Sequence, residues 1–423
     1  MTNHLNIHPE MRMNDNDPLI SLLNRAMDMP DHCCVVLPEE LDGRPFAPAD
    51  LYGYLRMETG YHVIYSWGDM PRYEDLETEW VGAICENAEA EARTIERARQ
   101  QDMPGCLLGR RGENDVLSLF IHRMDDGLEI ELEKKPFSWT QNVFSRHSGL
   151  LETDWLSQLY VVVTGAGSVG SRVIDLLARS GVGRIAISET DCMEIHNDCR
   201  HQLTLREVGL NKADALARHV RRINPDIDVR VFRRRIQDVP LSELSDWIGD
   251  GKALFLGCCD NRAGNASACD AAKALNAPFA SLGFWERAWG GELFVYLPIR
   301  GDVCYRCVFS KYIDNEIDQE RRNRMYVGEN RAAQAKIVPG IAVDIEYGVS
   351  LFCKIALDIL NLGREGYQPR LLFNIGQLNW FCGTADRSAG DQWKTALPDP
   401  LSLRPINLSD SLRTCESCSG KTA

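Results

Sequence analysis

The fold is decided between Leu159 and Lys212. Leu159-Tyr-Val-Val-Val-Thr164 reads as a buried strand and runs straight into Gly165-Ala-Gly-Ser-Val-Gly170. A helical pattern follows from Ser171 to Ser180, then a second strand from Arg184 to Ser188, which ends in Glu189-Thr190-Asp191. Asn197, Arg200 and Lys212 come next. The glycines fall where a strand turns into a helix, so backbone N–H groups and the positive end of the helix can face a phosphate. A carboxylate at the end of the second strand can take ribose hydroxyls. Asp191 lies 26 residues past Gly165, a little beyond the usual distance, and Glu189 competes for the same role. By itself the GxGxxG pattern fits any dinucleotide-binding half-domain. The cation pair beyond it fits a triphosphate better than a nicotinamide.

Downstream, strand and helix continue to alternate. Lys212 to Asn224 is helical, Ile227 to Phe232 is a strand, and Ala253 to Gly257 is a buried strand ending in Cys258-Cys-Asp-Asn261. Ala266 to Leu275 is helical and Pro278 to Leu282 a short strand. This alternation predicts an α/β fold, a Rossmann-like, doubly wound and mostly parallel sheet covered on both faces. Glu292 to Leu297 opens a more antiparallel part. Ser310 to Val338, which includes Glu320-Arg-Arg-Asn-Arg324, is expected to be a long mobile loop. Ile341 to Leu362 is a long helix, and Ala385 to Ser411 reads as extended loop.

Upstream, residues 1–140 are expected to form a separate α+β domain, with 141–423 as the main domain. His32 to Leu37 and Tyr61 to Trp67 read as strands. Asp75 to Gln101 is rich in Ala, Glu and Arg and reads as helix. Val116 to Met124 and Leu128 to Glu133 read as a hairpin about Asp125-Asp126-Gly127. No chemistry is evident here, and Cys33-Cys34 suits a core strand.

Composition sets limits. The chain has 423 residues, 44% of them hydrophobic, enough for two or three cores. A net charge of −14 argues against general nucleic-acid binding and against anionic membrane surfaces, though not against one nucleotide in a locally basic pocket. No apolar run reaches the length of a membrane span, and the N-terminus lacks a basic start and an apolar signal core. A cytoplasmic location is expected. Fifteen cysteines, with two CxxC pairs, read as a metal site plus buried thiols rather than a disulfide scaffold.

The ordered set Gly165-x-Gly-x-x-Gly170, Asp191, Asn197-x-x-Arg200, Val208-Gly209-x-x-Lys212 and Cys259-Asp260-Asn261 resembles the ThiF/MoeB superfamily, the enzymes that activate ubiquitin-like and sulfur-carrier proteins. Arg222-Ile-Asn-Pro225 and Phe144-Ser-Arg-His147 are similar to the same family. The resemblance covers residues 141–423 and leaves the first 140 unexplained. It implies ATP and Mg²⁺ as cofactors, and a homodimer in which Arg146 reaches the partner subunit's site. The bound nucleotide would lie on Gly165, Gly167, Gly170, Asp191, Asn197 and Lys212, and a small ubiquitin-like or sulfur-carrier protein would be the substrate. Where the family often has Gln after its arginine, this chain has His201, whose role is left open.

The chemistry is consistent with those residue types. A C-terminal carboxylate is a poor electrophile, and ATP converts it to an acyl-adenylate with loss of pyrophosphate. Lys212 and Arg200 would neutralise the charge gathered at the α-phosphate. Asp260, at the carboxyl end of a buried strand, would hold Mg²⁺. Asn197 could orient phosphate oxygens. Cys304-Tyr-Arg-Cys307 and Cys415-Glu-Ser-Cys418 form a Cys₄ set suited to a closed structural zinc site that pins the C-terminal tail.

The family pattern breaks at the transfer step. Many relatives carry a nucleophilic cysteine after the first CxxC pair, but residues 308–352 contain none. Cys192, Cys199, Cys258, Cys259 and Cys353 are displaced candidates, and Ser310 is a weaker one. The reading is an ATP-dependent activating enzyme of a bacterial ubiquitin-like conjugation pathway, with the N-terminal unit docking the carrier or a conjugating partner. Sulfur-carrier activation for thiamine or molybdopterin synthesis is the alternative. An NAD-dependent oxidoreductase and a non-catalytic adenylation-fold scaffold are the readings from other classes.

Overall fold

The computed structural model describes residues 33–44, 46–68, 74–112, 116–313, 340–384, 399–408, 413–415 and 418. The expectations for the N-terminus and for Glu320 to Arg324, and most of the expected mobile loop, lie outside these residues. The chain divides into two compact units, residues 1–142 and 143–423.

The first unit is built on an eight-stranded mixed sheet. Its strands are β1 (Cys34–Pro38), β2 (Ala49–Tyr54), β3 (Tyr61–Trp67), β4 (Glu79–Ile84), β5 (Gly105–Arg111), β6 (Leu117–Arg123), β7 (Glu129–Glu131) and β8 (Glu133–Phe137), in the order β7-β6-β5-β4-β2-β3-β1-β8. A one-turn helix α1 (Glu39–Asp42) follows β1, and α2 (Ala88–Gln100) joins β4 to β5. The helix expected from Asp75 to Gln101 is instead a short 3-10 turn (Glu74–Leu76), β4 and α2. Trp80, Val81 and Ile84 are buried in the sheet, and that packing overrides the local helical composition. The helix starts only after Asn87, whose side chain accepts the Ala90 N–H at 2.9 Å. Cys34 is buried in β1, as a core strand requires.

The second unit has its own eight-stranded sheet. The strands are β9 (Tyr160–Thr164), β10 (Arg184–Ser188), β11 (Asp228–Phe232), β12 (Ala253–Gly257), β13 (Phe279–Phe284), β14 (Gly290–Tyr296), β15 (Leu378–Cys382) and β16 (Ser402–Ile406), in the order β11-β10-β9-β12-β13-β14-β15-β16. The first five are mutually parallel and the last three pair antiparallel. β16 corrects the expectation of loop between Ala385 and Ser411: Leu403 and Ile406 supply apolar contacts and the segment completes the edge of β15.

Helices α3 (Ser168–Arg179), α4 (Lys212–Ile223) and α7 (Ala342–Leu360) cover one face. Helices α5 (Leu241–Ile248) and α6 (Arg262–Ala274) cover the other, together with helical residues 305–313. Side-chain alternation divides each strand between them: Val161 and Val163 join the first cluster and Val162 the second. The strand order reverses between β9 and β12, so the crevice beyond their carboxyl ends is the switch point where such sheets bind ligands. No helix among the described residues is long and apolar enough to cross a membrane.

Candidate functional site

The loop after β9 is held from three sides. Gly165 has φ +87°, and a Cβ there would lie 2.9 Å from the Cys258 carbonyl. Only glycine lets the β9 and β12 loops abut so closely. A Cβ on Gly170 would meet the Gly165 oxygen at 1.9 Å, so that glycine seats α3 against the loop. Gly167 differs, because a Cβ there meets nothing within 4 Å. The space beside it is open.

The Ala166 peptide is fastened at both ends. Its N–H donates to Glu189 Oε2 at 2.8 Å, and its carbonyl accepts from His201 Nε2 at 2.8 Å. The Leu203 N–H donates to His201 Nδ1 at 3.0 Å, which fixes the proton on Nε2. Burial pushes the His201 imidazole down to about 4, so it is neutral at ordinary pH. The other Glu189 oxygen takes the N–H groups of Thr190 and Asp191 at 2.7 and 2.9 Å. Glu189 is therefore committed to shaping the loop, and Asp191 is the carboxylate left exposed.

Three helices begin at this carboxyl edge. Asn211 caps α4 by accepting from Ala213 and Asp214, and Asn261 caps α6 by accepting from Gly264. Helix α3 has no side-chain cap and no acidic residue in its first turn. Its leading N–H groups have no side-chain cap, an arrangement that could take an external anion.

Lys212 is carried to the site by a zipper between two loops. Met193 donates to Leu210 O, Gly209 to Met193 O, and Lys212 N–H to Asp191 O at 3.0 Å. The Lys212 ammonium lies 3.7 Å from Asp191 Oδ2 with its side chain 10% exposed. Arg200 is half-buried at the end of the turn Ile195–Arg200, one residue before the His201 clamp. Asn197 spends its side-chain oxygen on the Glu194 N–H at 3.0 Å, so only its amide N–H₂ remains for a ligand.

Asp260 is exposed, two residues past the Cys258 carbonyl that abuts Gly165, and accepts from the Asn261 amide at 3.2 Å. An open carboxylate of this kind suits Mg²⁺. Asn265 braces the loop, taking the Cys259 N–H and donating back to its carbonyl. Arg146 precedes the first strand of this unit. Its side chain is exposed on the turn Ser145–His147 and makes no hydrogen bond or ion pair among the described residues.

The cysteines divide by environment. Burial pushes the Cys258 thiol well up and that of Cys259 up to about 12, and it raises Cys353 as well. None of these is a ready thiolate. Cys192 and Cys199 are exposed.

A second group fits a metal. The sulfurs of Cys304, Cys307, Cys415 and Cys418 all lie within 4.8 Å of one another, with Cys304 and Cys415 at 3.6 Å. Zn–S bonds of about 2.3 Å in a tetrahedron place sulfurs about 3.8 Å apart. Lys273 Nζ donates to Cys418 Sγ at 3.2 Å and the Cys415 N–H to Cys307 Sγ at 3.3 Å, as thiolate ligands need. Cys304 directly precedes helical residues 305–313, and Cys307 lies in their first turn.

Sequence reasoning missed the loop fastenings by Glu189, His201 and Asn265. It also missed the pair Arg172–Glu346 at 2.7 Å, which ties the second turn of α3 to α7. The signal for His201 was its place, directly after a cation assigned to the phosphate site.

With this geometry in view, the ThiF family profile matches residues 141–352, half of the chain. This chain belongs to the ThiF family. Ubiquitin-like modifier-activating enzyme 5 of Drosophila ananassae is 29% identical over 173 residues, covering 39% of this chain and 43% of that protein. The protein of the same name from Culex quinquefasciatus is 26% identical over 246 residues, covering 56% and 59%. The matched part therefore spans less than two thirds of these relatives. Crystalline E. coli MccB with succinimide aligns at 18% identity and a TM-score of 0.45, over 64% of this chain and 73% of that one.

Proposed function

We propose that this ThiF-family chain adenylates the C-terminal carboxylate of a ubiquitin-like protein. The carrying observation is the uncapped N-terminus of α3 behind a triply fastened glycine loop, with Lys212, Asp191 and the Asp260 loop gathered around it. ATP would place its phosphates on that helix end and its ribose on Asp191. A carboxylate oxygen of the carrier attacks the α-phosphorus, the bond from that phosphorus to the bridging oxygen breaks, and pyrophosphate leaves with the electron pair. Lys212 and Arg200 offset the charge that gathers on the phosphoryl oxygens, and Asn197 orients them through its amide N–H₂. Asp260 would hold Mg²⁺, which neutralises phosphate charge when bound. Zn²⁺ on Cys304, Cys307, Cys415 and Cys418 would be structural. A homodimer, with Arg146 serving the partner's site, is part of the proposal.

The name carried by the relatives supports a ubiquitin-like carrier over sulfur-carrier activation. The N-terminal unit, proposed as a docking module for the carrier or a conjugating partner, favours a bacterial ubiquitin-like conjugation pathway. The raised thiols of Cys258, Cys259 and Cys353 and a cysteine-free stretch from 308 to 352 favour direct hand-off from the adenylate to that partner. The test is ATP–pyrophosphate exchange with purified ubiquitin-like proteins. Exchange that requires the carrier and falls tenfold or more in Lys212→Ala, Arg200→Ala and Asp260→Ala is expected. Native-rate exchange in Asp260→Ala, or tight NAD binding without ATP binding, would overturn the proposal.

A further inference from the structure

Arginine is concentrated in one place that the nucleotide site does not use. Seven arginines fall between residues 218 and 235, in a chain whose 47 basic residues are spread over 423 positions and whose net charge is −14. They gather around β11, the terminal strand of its sheet. A groove of about 610 Å³ lies between α4 and this strand, lined by Asp214, Arg218, Arg221, Val229, Arg230 and Arg233 among others.

The main chain of β11 is open on the groove side. The Asp228 N–H donates to Gly183 O at 2.8 Å and the Phe232 carbonyl accepts from Glu189 at 3.0 Å, so these residues turn their polar groups toward β10. Alternation then turns the N–H and C=O of Val229 and Val231 to the open edge. Arg221 Nη2 reaches the Val229 carbonyl at 3.4 Å from that side.

The arginines flank this edge on both faces. Arg218 lies on α4, which packs on the same face as Val229. Arg230 lies on the opposite face, over the Phe232 ring at 5.7 Å. Arg233 is paired with Asp214 and Arg234 with Glu243. Arg218 and Arg230 are exposed and make no ion pair among the described residues. A strand laid beside β11 would send neighbouring side chains to alternate faces, so acidic residues in succession would meet a guanidinium on each.

We infer that the open edge of β11 is a docking groove for an acidic, extended segment of a partner protein, which joins the sheet as an added strand. A polypeptide, rather than a nucleic acid, is the occupant because only a peptide main chain completes the open hydrogen-bond ladder. A second copy is disfavoured, since β11 against β11 sets arginine opposite arginine. Edge protection alone does not call for an exposed guanidinium on each face of the edge, as Arg218 and Arg230 provide.

The probe is a fluorescein-labelled peptide, Val-Thr-Glu-Asp-Glu-Asp-Thr-Val, titrated into the full chain by anisotropy at low salt. Saturable binding is expected, at least tenfold weaker in Arg218→Glu/Arg230→Glu and several-fold weaker in Arg218→Gln/Arg230→Gln. Circular dichroism melts confirm that the variants fold. Amide exchange at Val229 and Val231 should slow at least tenfold on saturation. Four results would each overturn the inference: no binding, equal binding by the folded variants, equal binding by the same peptide N-methylated at alternate residues, or tighter binding by an eight-nucleotide thymidine oligomer.

Discussion

His201 shows how one side chain sets the shape of a binding loop. It is neutral, donates to Ala166 and accepts from Leu203, and protonation would break the second bond. Its folded pKa, about 4, lies below the unfolded value near 6.5. The unfolded chain therefore binds more protons between those values, and stability rises with pH through that window. Denaturant melts should show stability falling from pH 6.5 toward pH 4, with a shallower slope in His201→Asn; an unchanged slope would remove His201 as the cause. Gly167 separates folding from binding. Gly167→Ala fills open space and should melt like the native chain, yet it should weaken ATP binding tenfold or more by calorimetry. Gly170→Ala puts a Cβ 1.9 Å from a carbonyl oxygen and should cost about 2 kcal/mol or more of stability. The three glycines were legible as a motif in the sequence. Their separate tasks were not, because those depend on the Cys258 carbonyl, which arrives from a distant strand.

Among elements, β9, β10 and β12 were legible because strands buried on both faces read as unbroken apolar runs. The segment that became β4 was not, because its charged neighbours have helical composition and only the sheet's packing decides against them. β16 was missed for the opposite reason. Ser402-Leu-Arg-Pro-Ile406 lacks a strand's apolar density, and its ladder with β15 makes it a strand. The cysteine pairs at 304 and 307 and at 415 and 418 were legible as a candidate ligand set, and the structure brings the four sulfurs together, though the Lys273 ammonium beside them was not legible. One zinc per chain is expected by metal analysis. Cys415→Ser, or chelation under reducing conditions, should lower the melting temperature by about 5 °C or more and speed amide exchange in β16, because metal binding adds to folding free energy. Zinc-free protein with native stability would refute the assignment.

At the scale of the whole molecule, Arg146 is the test. Exposed and without a hydrogen bond or ion pair among the described residues, it is proposed to serve a second copy's site. Mixing the Arg146→Ala and Asp260→Ala chains should then restore part of the exchange activity, since one mixed dimer assembles one intact site. No recovery while subunits demonstrably exchange would make Arg146 a surface residue. The central place of β9 carries a further consequence for the order in which this protein comes into being. β9 can pair with β10 soon after both leave the ribosome, but its other flank waits for β12, whose Ala253 aligns with Tyr160 some ninety residues earlier. Until then the turn at Gly165 has no Cys258 backbone to close against. On the proposed function, a nascent chain arrested before residue 258 would hold every glycine of its loop after β9 and still be blind to nucleotide, whereas one released after α6 would have acquired that sight late and in a single step.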